Sequence, residues 1–171
     1  MFVPFAVFAQ EITVSPQEIS GPSNVLSIQP INAVLLTAWS AEYERKVGGA
    51  VTVGVGGTHW DVGEEDDLTY ASADLKLRYY PQGNALQGFA FGGTVGFSSI
   101  SATSSDGTDE SASGPSFGIL IEYQWLMGVK RNFALALGVG AKSVMVDEDA
   151  ISSDDFILRY PTARLSVGFA F

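Results

Sequence analysis

The sequence contains no cysteine, which excludes disulfide bonds, zinc–thiolate sites and cysteine nucleophiles. It also lacks any run close to the roughly 20 consecutive apolar residues of a membrane-spanning helix, although 46% of its residues are hydrophobic. Basic residues are scarce, with nine Lys and Arg against 19 Asp and Glu. The net charge of -10 and the missing basic patch argue against nucleic-acid binding, because the phosphates would be repelled.

What the sequence does contain is strict alternation, most clearly in residues 161–171. One face of this segment carries Ala163, Leu165, Val167, Phe169 and Phe171, whereas the other carries Thr162, Arg164, Ser166, Gly168 and Ala170. A soluble sheet would place long charged side chains on its polar face, so the small residues here indicate crowding on that side instead. Bulky apolar residues outside and small polar residues inside are the pattern of a membrane β-barrel.

The same alternation predicts further strands along the chain. Segment 25–47 must supply two strands, 25–32 and 37–46 with a turn around 33–36, because closure of such a barrel requires an even number. The other predicted strands are residues 50–60, 68–80, 88–100, 115–127, 133–146 and 161–171. We therefore predict an all-β fold, an eight-stranded antiparallel up-and-down transmembrane β-barrel.

The predicted connections fall into two alternating classes that define the orientation. Short turns at 46–49, 81–87 and 128–132 are rich in Gly, Pro or Asn and are assigned to the periplasmic end. Longer connections at 61–67, 101–114 and 147–155 hold 13 of the 19 acidic residues and no Lys or Arg, and are assigned to the outside. These loops are expected to be solvated negative caps; weak binding of divalent cations is the alternative, without a dedicated metal site.

The alternation also predicts a charged interior. Four acidic and four basic residues fall on the inward face, so the interior is neutral by count: Glu42, Glu44, Asp74, Lys76, Arg78, Glu122, Lys142 and Arg164. An eight-stranded barrel is only wide enough for its side chains to fill. We therefore predict that these residues form a lumen ion-pair network that plugs the barrel, with a narrow pore as the alternative.

Aromatic residues cluster near the predicted strand ends, as in the interfacial belts of membrane proteins. The predicted belts comprise Trp39, Tyr43, Trp60, Tyr79, Trp125 and Phe171. A second alternative function, a lipid-directed esterase, would use the single His59 beside Asp61, but no Ser partner stands out. A third, a soluble lipocalin-like ligand-binding barrel, requires apolar residues inside and charged ones outside, which is the reverse of this pattern. No catalytic residue, metal site or cofactor is predicted.

The first residues suggest a targeting segment. Residues 1–9, MFVPFAVFA, are similar to the apolar end of a secretory signal peptide, with small residues before a cleavage point ahead of Gln10. Residues 10–24 contain Pro16 and Pro22 and are expected to be a disordered periplasmic lead-in. The predicted barrel domain is then 25–171.

Two stretches resemble known proteins. Residues 32–60, NAVLLTAWSAEYERKVGGAVTVGVGGTHW, are similar to the opening strands of small outer-membrane β-barrel families of the OmpA/OmpX-like type. The ending LSVGFAF resembles the C-terminal signal read by the barrel-assembly machinery, which implies signal positions at Leu165, Val167, Phe169 and Phe171. The resemblance implies a monomer in the bacterial outer membrane of a Gram-negative cell envelope, in contact with the lipid bilayer and lipopolysaccharide, with a structural or surface-interaction role and no enzymatic activity.

Overall fold

The computed structural model describes residues 21–62, 67–103, 109–146 and 156–171. The predicted signal segment, most of the lead-in and most residues of the acidic loops lie outside these ranges. The elements in chain order are β1 (Asn24–Ile28), α1 (Pro30–Leu36), β2 (Ala38–Lys46), β3 (Val51–Val62), β4 (Asp67–Tyr79), β5 (Gly88–Thr103), β6 (Asp109–Met127), β7 (Phe133–Val146) and β8 (Phe156–Ala170).

The strands close into a barrel in which each pairs antiparallel with its neighbours in sequence. The closing seam joins β1 to β8, where Val25 lies opposite Ala170 while also pairing with Glu44 of β2. The seam is short: only Val25–Ile28 pair with Val167–Ala170, and among the described residues the outer part of β8, residues 156–166, has a strand partner only on its β7 side. The predicted all-β, eight-stranded antiparallel architecture is confirmed.

The first connection differs from the prediction. The predicted strand 25–32 ends at Ile28, and Pro30 begins the short helix α1, which occupies the predicted turn at 33–36. Proline has no N–H to give to a strand ladder, and its fixed φ suits the first turn of a helix. The helix ends where Thr37 adopts a left-handed conformation, with φ of 52°, and turns the chain into β2.

At the predicted extracellular end, β5, β6 and β8 each extend at least three residues beyond their predicted bounds, and β3 and β4 extend by one or two. β5 runs to Thr103 and β6 starts at Asp109, and the two stay paired up to these residues, so the predicted loop 101–114 is mostly strand. β8 begins at Phe156, before Pro161. The extensions of β5 and β6 are rich in Ser and Ala, and their alternation is too weak to recognise in the sequence, whereas backbone pairing needs no side-chain pattern.

The two faces of the barrel wall have opposite character. Large hydrophobic side chains point outward and are exposed, including Leu75 at 53%, Ile119 at 70% and Leu137 at 55%. The inward face carries the buried polar and charged residues together with small ones. The inverted arrangement expected from the alternation is therefore present. In the described part of the chain, no helix has the length and apolarity needed to cross a membrane.

Small residues inside allow the strands to approach closely. A Cβ added to Gly140 of β7 would lie 2.3 Å from the Ile119 carbonyl oxygen and 2.9 Å from Thr162 Oγ1. On the outward face, Gly93 of β5 has no such neighbour within 4 Å. Glycine on the inward face of this wall is thus a packing requirement, and the outward one is not.

Candidate functional site in the barrel interior

Charged side chains from four strands meet inside the inner half of the barrel. β2 contributes Glu42 and Glu44, and β4 contributes Lys76 and Arg78. Residues two apart in a strand share a face, so each pair points into the lumen together. Glu122 of β6 and Arg164 of β8 enter the same region from the opposite wall. The inner cluster, as we name these six residues, holds three acidic and three basic side chains.

Arg78 is the centre of the inner cluster. Its Nη2 donates to Glu42 Oε1 at 2.6 Å, and its Nη1 lies 3.5 Å from Glu44 Oε1. Its Nε lies 2.6 Å from Glu122 Oε1, an ion pair by distance whose N–H direction falls outside hydrogen-bond geometry. The Arg78 and Glu122 side chains are both 0% exposed. One guanidinium therefore links three carboxylates in a region that solvent does not reach.

Glu42 forms ion pairs with the two remaining cations of the inner cluster. Arg164 Nη1 donates to Glu42 Oε2 at 2.7 Å, and Lys76 Nζ also contacts Oε2. Arg164 Nε lies 3.6 Å from Glu122 Oε2, which connects the cluster across the lumen. Each buried carboxylate of the cluster thus has at least one cationic neighbour, as buried charges require.

The other two predicted network residues form a separate pair further out. Lys142 Nζ donates to both carboxylate oxygens of Asp74, at 2.8 and 2.9 Å. Tyr70 lies 3.4 Å from the same ammonium group, and its hydroxyl is 3.2 Å from that of Tyr160. The eight predicted residues are therefore divided into an inner cluster of six and an outer pair, and no ion pair between described residues connects the two.

Tyr80 also contacts the inner cluster, although it is not among the predicted network residues; it follows the inward Arg78 by two residues in the predicted strand 68–80. β4 ends at Tyr79, and the chain then turns so that Tyr80 is 0% exposed and donates to Glu44 Oε1 at 3.0 Å. Burial, together with the nearby Glu44 carboxylate, raises the pKa of the Tyr80 hydroxyl, which therefore stays protonated and remains a donor. Thr52 Oγ1 donates to the same Glu44 oxygen at 2.5 Å.

The outer half of the lumen contains a cavity of about 330 Å³. Its lining includes Tyr70, Asp74, Lys76, Lys142 and Tyr160, with Gln29 and Asn32 near the start of α1 at its outer side. The inner half has side chains packed to full burial, including Leu86 and Tyr80. The fully buried side chains thus lie in the inner half of the lumen, and the cavity lies in the outer half.

Most predicted belt residues point outward. Trp39, Tyr79 and Phe171 are 70%, 53% and 55% exposed, Trp125 is 38% exposed, and Tyr43 is half-buried with its hydroxyl on Asn24 Oδ1 at 2.7 Å. Trp60 requires a correction. It alternates with the exposed His59 and pairs with Tyr70. Because residues directly opposite in a ladder share a face, Trp60 lies on the inward side and not in the outer belt.

The residues of the predicted assembly signal share the outward face of β8. Phe169 is 55% exposed, and its ring stacks on that of Phe171 with centroids 6.1 Å apart. Leu165 and Val167 are half-buried on the same face. The strand ends at Ala170, and the Phe171 carbonyl accepts hydrogen bonds from the Ser23 and Asn24 N–H groups. The segment is thus an ordered part of the closing seam.

Asp61 follows His59 by two residues on the outward face of β3, but the ladder positions directly beside His59 hold no nucleophile. His59 is exposed on the outward face, and its ladder neighbours are Trp39 and Ala71, which supply neither a hydroxyl nor a carboxylate. Within the same described ranges, no group of His, Cys, Asp and Glu has the arrangement of a metal site. The esterase alternative therefore gains no geometric support.

The fold is that of the small eight-stranded outer-membrane β-barrels. Neisserial surface protein A (NspA) is similar with a TM-score of 0.58 and 11% identity, covering 87% of this chain and 94% of that one. Ail, the attachment invasion locus protein of Yersinia pestis, is similar with a TM-score of 0.55 and 12% identity, covering 88% and 99%. No protein-family model and no curated protein sequence matches the chain. At these identities the likeness concerns the fold.

Proposed function

We propose that this chain is an integral protein of the bacterial outer membrane, closed in the inner half of its lumen, with a structural or surface-interaction role exerted through its acidic outer end. The observation that carries the proposal is the outward display of large hydrophobic side chains around a charged interior. Ile119, Leu137 and Val139 are 70%, 55% and 61% exposed. In water this surface would drive aggregation, whereas hydrocarbon would cover it at no cost.

The inner cluster favours a closed barrel over a pore. Arg78, Glu122, Tyr80 and Leu86 are fully buried in the inner half, so the cavity in the outer half ends against packed side chains. A conducting path would have to break the contacts between Arg78 and its three carboxylates. The soluble lipocalin-like alternative loses support for the complementary reason, because the interior is charged and the exterior apolar.

The negative charge of the outer end determines which partners this surface attracts and which it repels. Ail also has a crystal structure in complex with the heparin analogue sucrose octasulfate. In this chain the outer connections and their flanks hold 13 acidic residues, and Arg159 of β8 is the exposed cation nearest to them in the described chain. Like charges at this density repel polyanions. We therefore propose a surface role that excludes sulfated polysaccharides and favours cationic or cation-bridged partners, including lipopolysaccharide held through divalent ions.

Insertion into a bilayer tests the proposal. The purified chain, refolded into phospholipid vesicles, should float with them and should give no discrete conductance steps in planar bilayers. Ile119→Arg places a charge on the lipid-facing wall and should cost about 2–4 kcal/mol of folded stability in the membrane. Asn84→Arg, in an exposed inner turn, is the matched control and should insert normally.

Two outcomes would count against the proposal. A chain that stays monodisperse in water without detergent would refute the membrane assignment. Discrete openings from the pure wild-type protein would refute the closed interior while leaving the membrane assignment intact.

A further inference from the structure

Two turns at the inner end of the barrel, with the residues beside them, carry the same three residue types in reverse order. Residues 45–47, at the β2–β3 connection, read Arg-Lys-Val, and residues 129–131, in the β6–β7 turn, read Val-Lys-Arg. All six residues are exposed, with Val47 at 58% and Val129 at 106%. Each turn thus presents an apolar side chain to the surroundings beside two cations.

The barrel places these turns on opposite sides. The β2–β3 and β6–β7 connections are four strands apart in a closed ring of eight. The remaining inner turn, residues 80–87, contains no charged residue. The cations are therefore concentrated at two opposed points of the inner rim and are not spread evenly around it.

Among the described residues, no acidic side chain forms an ion pair with the cations at the inner rim. The described inner-end segments 21–24, 45–52, 80–90, 126–133 and 169–171 contain no Asp or Glu. The nearest carboxylate along β2, Glu44, is buried inside the lumen and contacts Arg78. The inner rim of the described chain thus carries four exposed positive charges.

The direction of Arg45 indicates what this cation contacts. Arg45 is exposed on the outward face of β2, on the same side as Tyr43, and lies opposite Val53 in the ladder with β3. A cation beside an outward tyrosine and a half-buried valine has the composition of a membrane interface, where the apolar group meets the acyl boundary and the cation meets phosphate.

We propose that the two turns bind the anionic headgroups of phospholipids in the periplasmic leaflet and thereby clamp the inner rim of the barrel at two opposed points. This inference rests on the proposed membrane location. Each basic residue near an anionic lipid surface should raise the affinity about fivefold. The contribution is electrostatic and is screened by salt.

Native mass spectrometry of the detergent-solubilised, folded chain can count the bound lipids. Phosphatidylglycerol and phosphatidylcholine with identical acyl chains are the probes. The wild type should retain phosphatidylglycerol preferentially, and raising the ammonium acetate from about 0.15 M to about 1 M should weaken that preference. Replacing one turn's cations, as in Lys130→Gln with Arg131→Gln, should lower the affinity about 25-fold at that turn and leave the other turn binding.

Two matched controls define the site. Arg159→Gln removes an exposed cation at the outer end and should leave the binding unchanged. Asn84→Lys adds a cation to the neutral inner turn and should create additional phosphatidylglycerol binding. Circular dichroism of each variant verifies that the barrel is folded.

The outcomes separate this inference from the proposed function. Equal retention of both lipids by the wild type, or undiminished phosphatidylglycerol binding after all four cations are replaced, would overturn the inference even if the chain inserts into bilayers. Loss of the binding in Arg159→Gln alone would place the lipid site at the outer end and overturn it as well.

Discussion

Arg78 and Glu122 lie on β4 and β6, and their Nε and Oε1 atoms are 2.6 Å apart at a point where neither side chain reaches solvent. The strand between them, β5, faces this contact with Gly92 and Ala90, which are too small to separate the two. The contact passes over β5 on its lumen side and belongs to the buried side chains of the inner half. The small inward residues and the buried ion pairs are thus two parts of one arrangement.

Removing Arg78 should be strongly destabilising. Arg78→Met leaves Glu42, Glu44 and Glu122 with one cation fewer, and breaking a buried ion pair in this way costs about 3–5 kcal/mol. Urea unfolding in detergent, followed by tryptophan fluorescence, measures the free energy of unfolding. Arg45→Gln removes an exposed cation of β2 and should change it by less than about 0.5 kcal/mol. Equal effects of the two substitutions would show that the inner cluster is not a buried unit.

The outer pair should behave as a unit independent of the inner cluster. Asp74→Asn and Lys142→Met remove the two ends of one contact, so their effects on the free energy of unfolding should be non-additive by about 0.5–3 kcal/mol. Lys142→Met and Arg78→Met, which share no ion pair, should add within about 0.5 kcal/mol. A large coupling between Lys142 and Arg78 would instead indicate one continuous network.

The buried hydroxyl of Tyr80 should contribute to stability, and that of its neighbour Tyr79 should not. Tyr80→Phe leaves Glu44 without one of its donors in a buried place, which should cost about 1–3 kcal/mol. Tyr79 is 53% exposed on the outward face, so Tyr79→Phe is the matched control. Thermal unfolding of both variants, followed by circular dichroism, measures the difference. A larger loss for Tyr79→Phe would contradict the interior role of Tyr80.

Glycine should be required on the inward wall and dispensable on the outward one. Gly140→Ala brings a methyl group against the Ile119 carbonyl oxygen at 2.3 Å, so the strands must separate, at a cost of about 1–3 kcal/mol. Gly93→Ala points into open space and should be neutral or slightly stabilising. The yield of folded barrel after refolding provides a second readout. Comparable effects at the two positions would refute the packing argument.

The alternation in the sequence predicted the barrel because a membrane inverts the usual pattern. Glu42, Arg78 and Glu122 could be assigned to the interior from their spacing alone, since residues two apart in a strand share a face. The spacing within one strand does not show how far along the lumen its side chains lie from those of the other strands. The separation of Asp74 and Lys142 from the inner cluster depends on the stagger between strands, which only the register reveals.

The prediction is wrong or incomplete near the ends of strands. Pro30 was assigned to a strand, but its missing N–H and fixed φ make it the first residue of a helix. Trp60 was assigned to the outer belt by its place near a strand end, although its position in the alternation puts it inside with Tyr70. Tyr80 is missing from the predicted interior set, although it lies two residues after the inward Arg78 in the predicted strand 68–80 and shares its face. The barrel-assembly signal at Phe169 and Phe171 stays a prediction.

The central claim is that the bulky outward face contacts hydrocarbon. Because the chain has no cysteine, Leu137→Cys and Asn84→Cys each carry one thiol for a nitroxide label in refolded vesicles. The label at position 137 should be relaxed by oxygen, which dissolves in lipid, and shielded from a water-soluble nickel chelate, whereas the label at position 84 should show the reverse. Strong relaxation of the label at position 137 by the nickel chelate in folded, vesicle-bound protein would show that the outward face is in water.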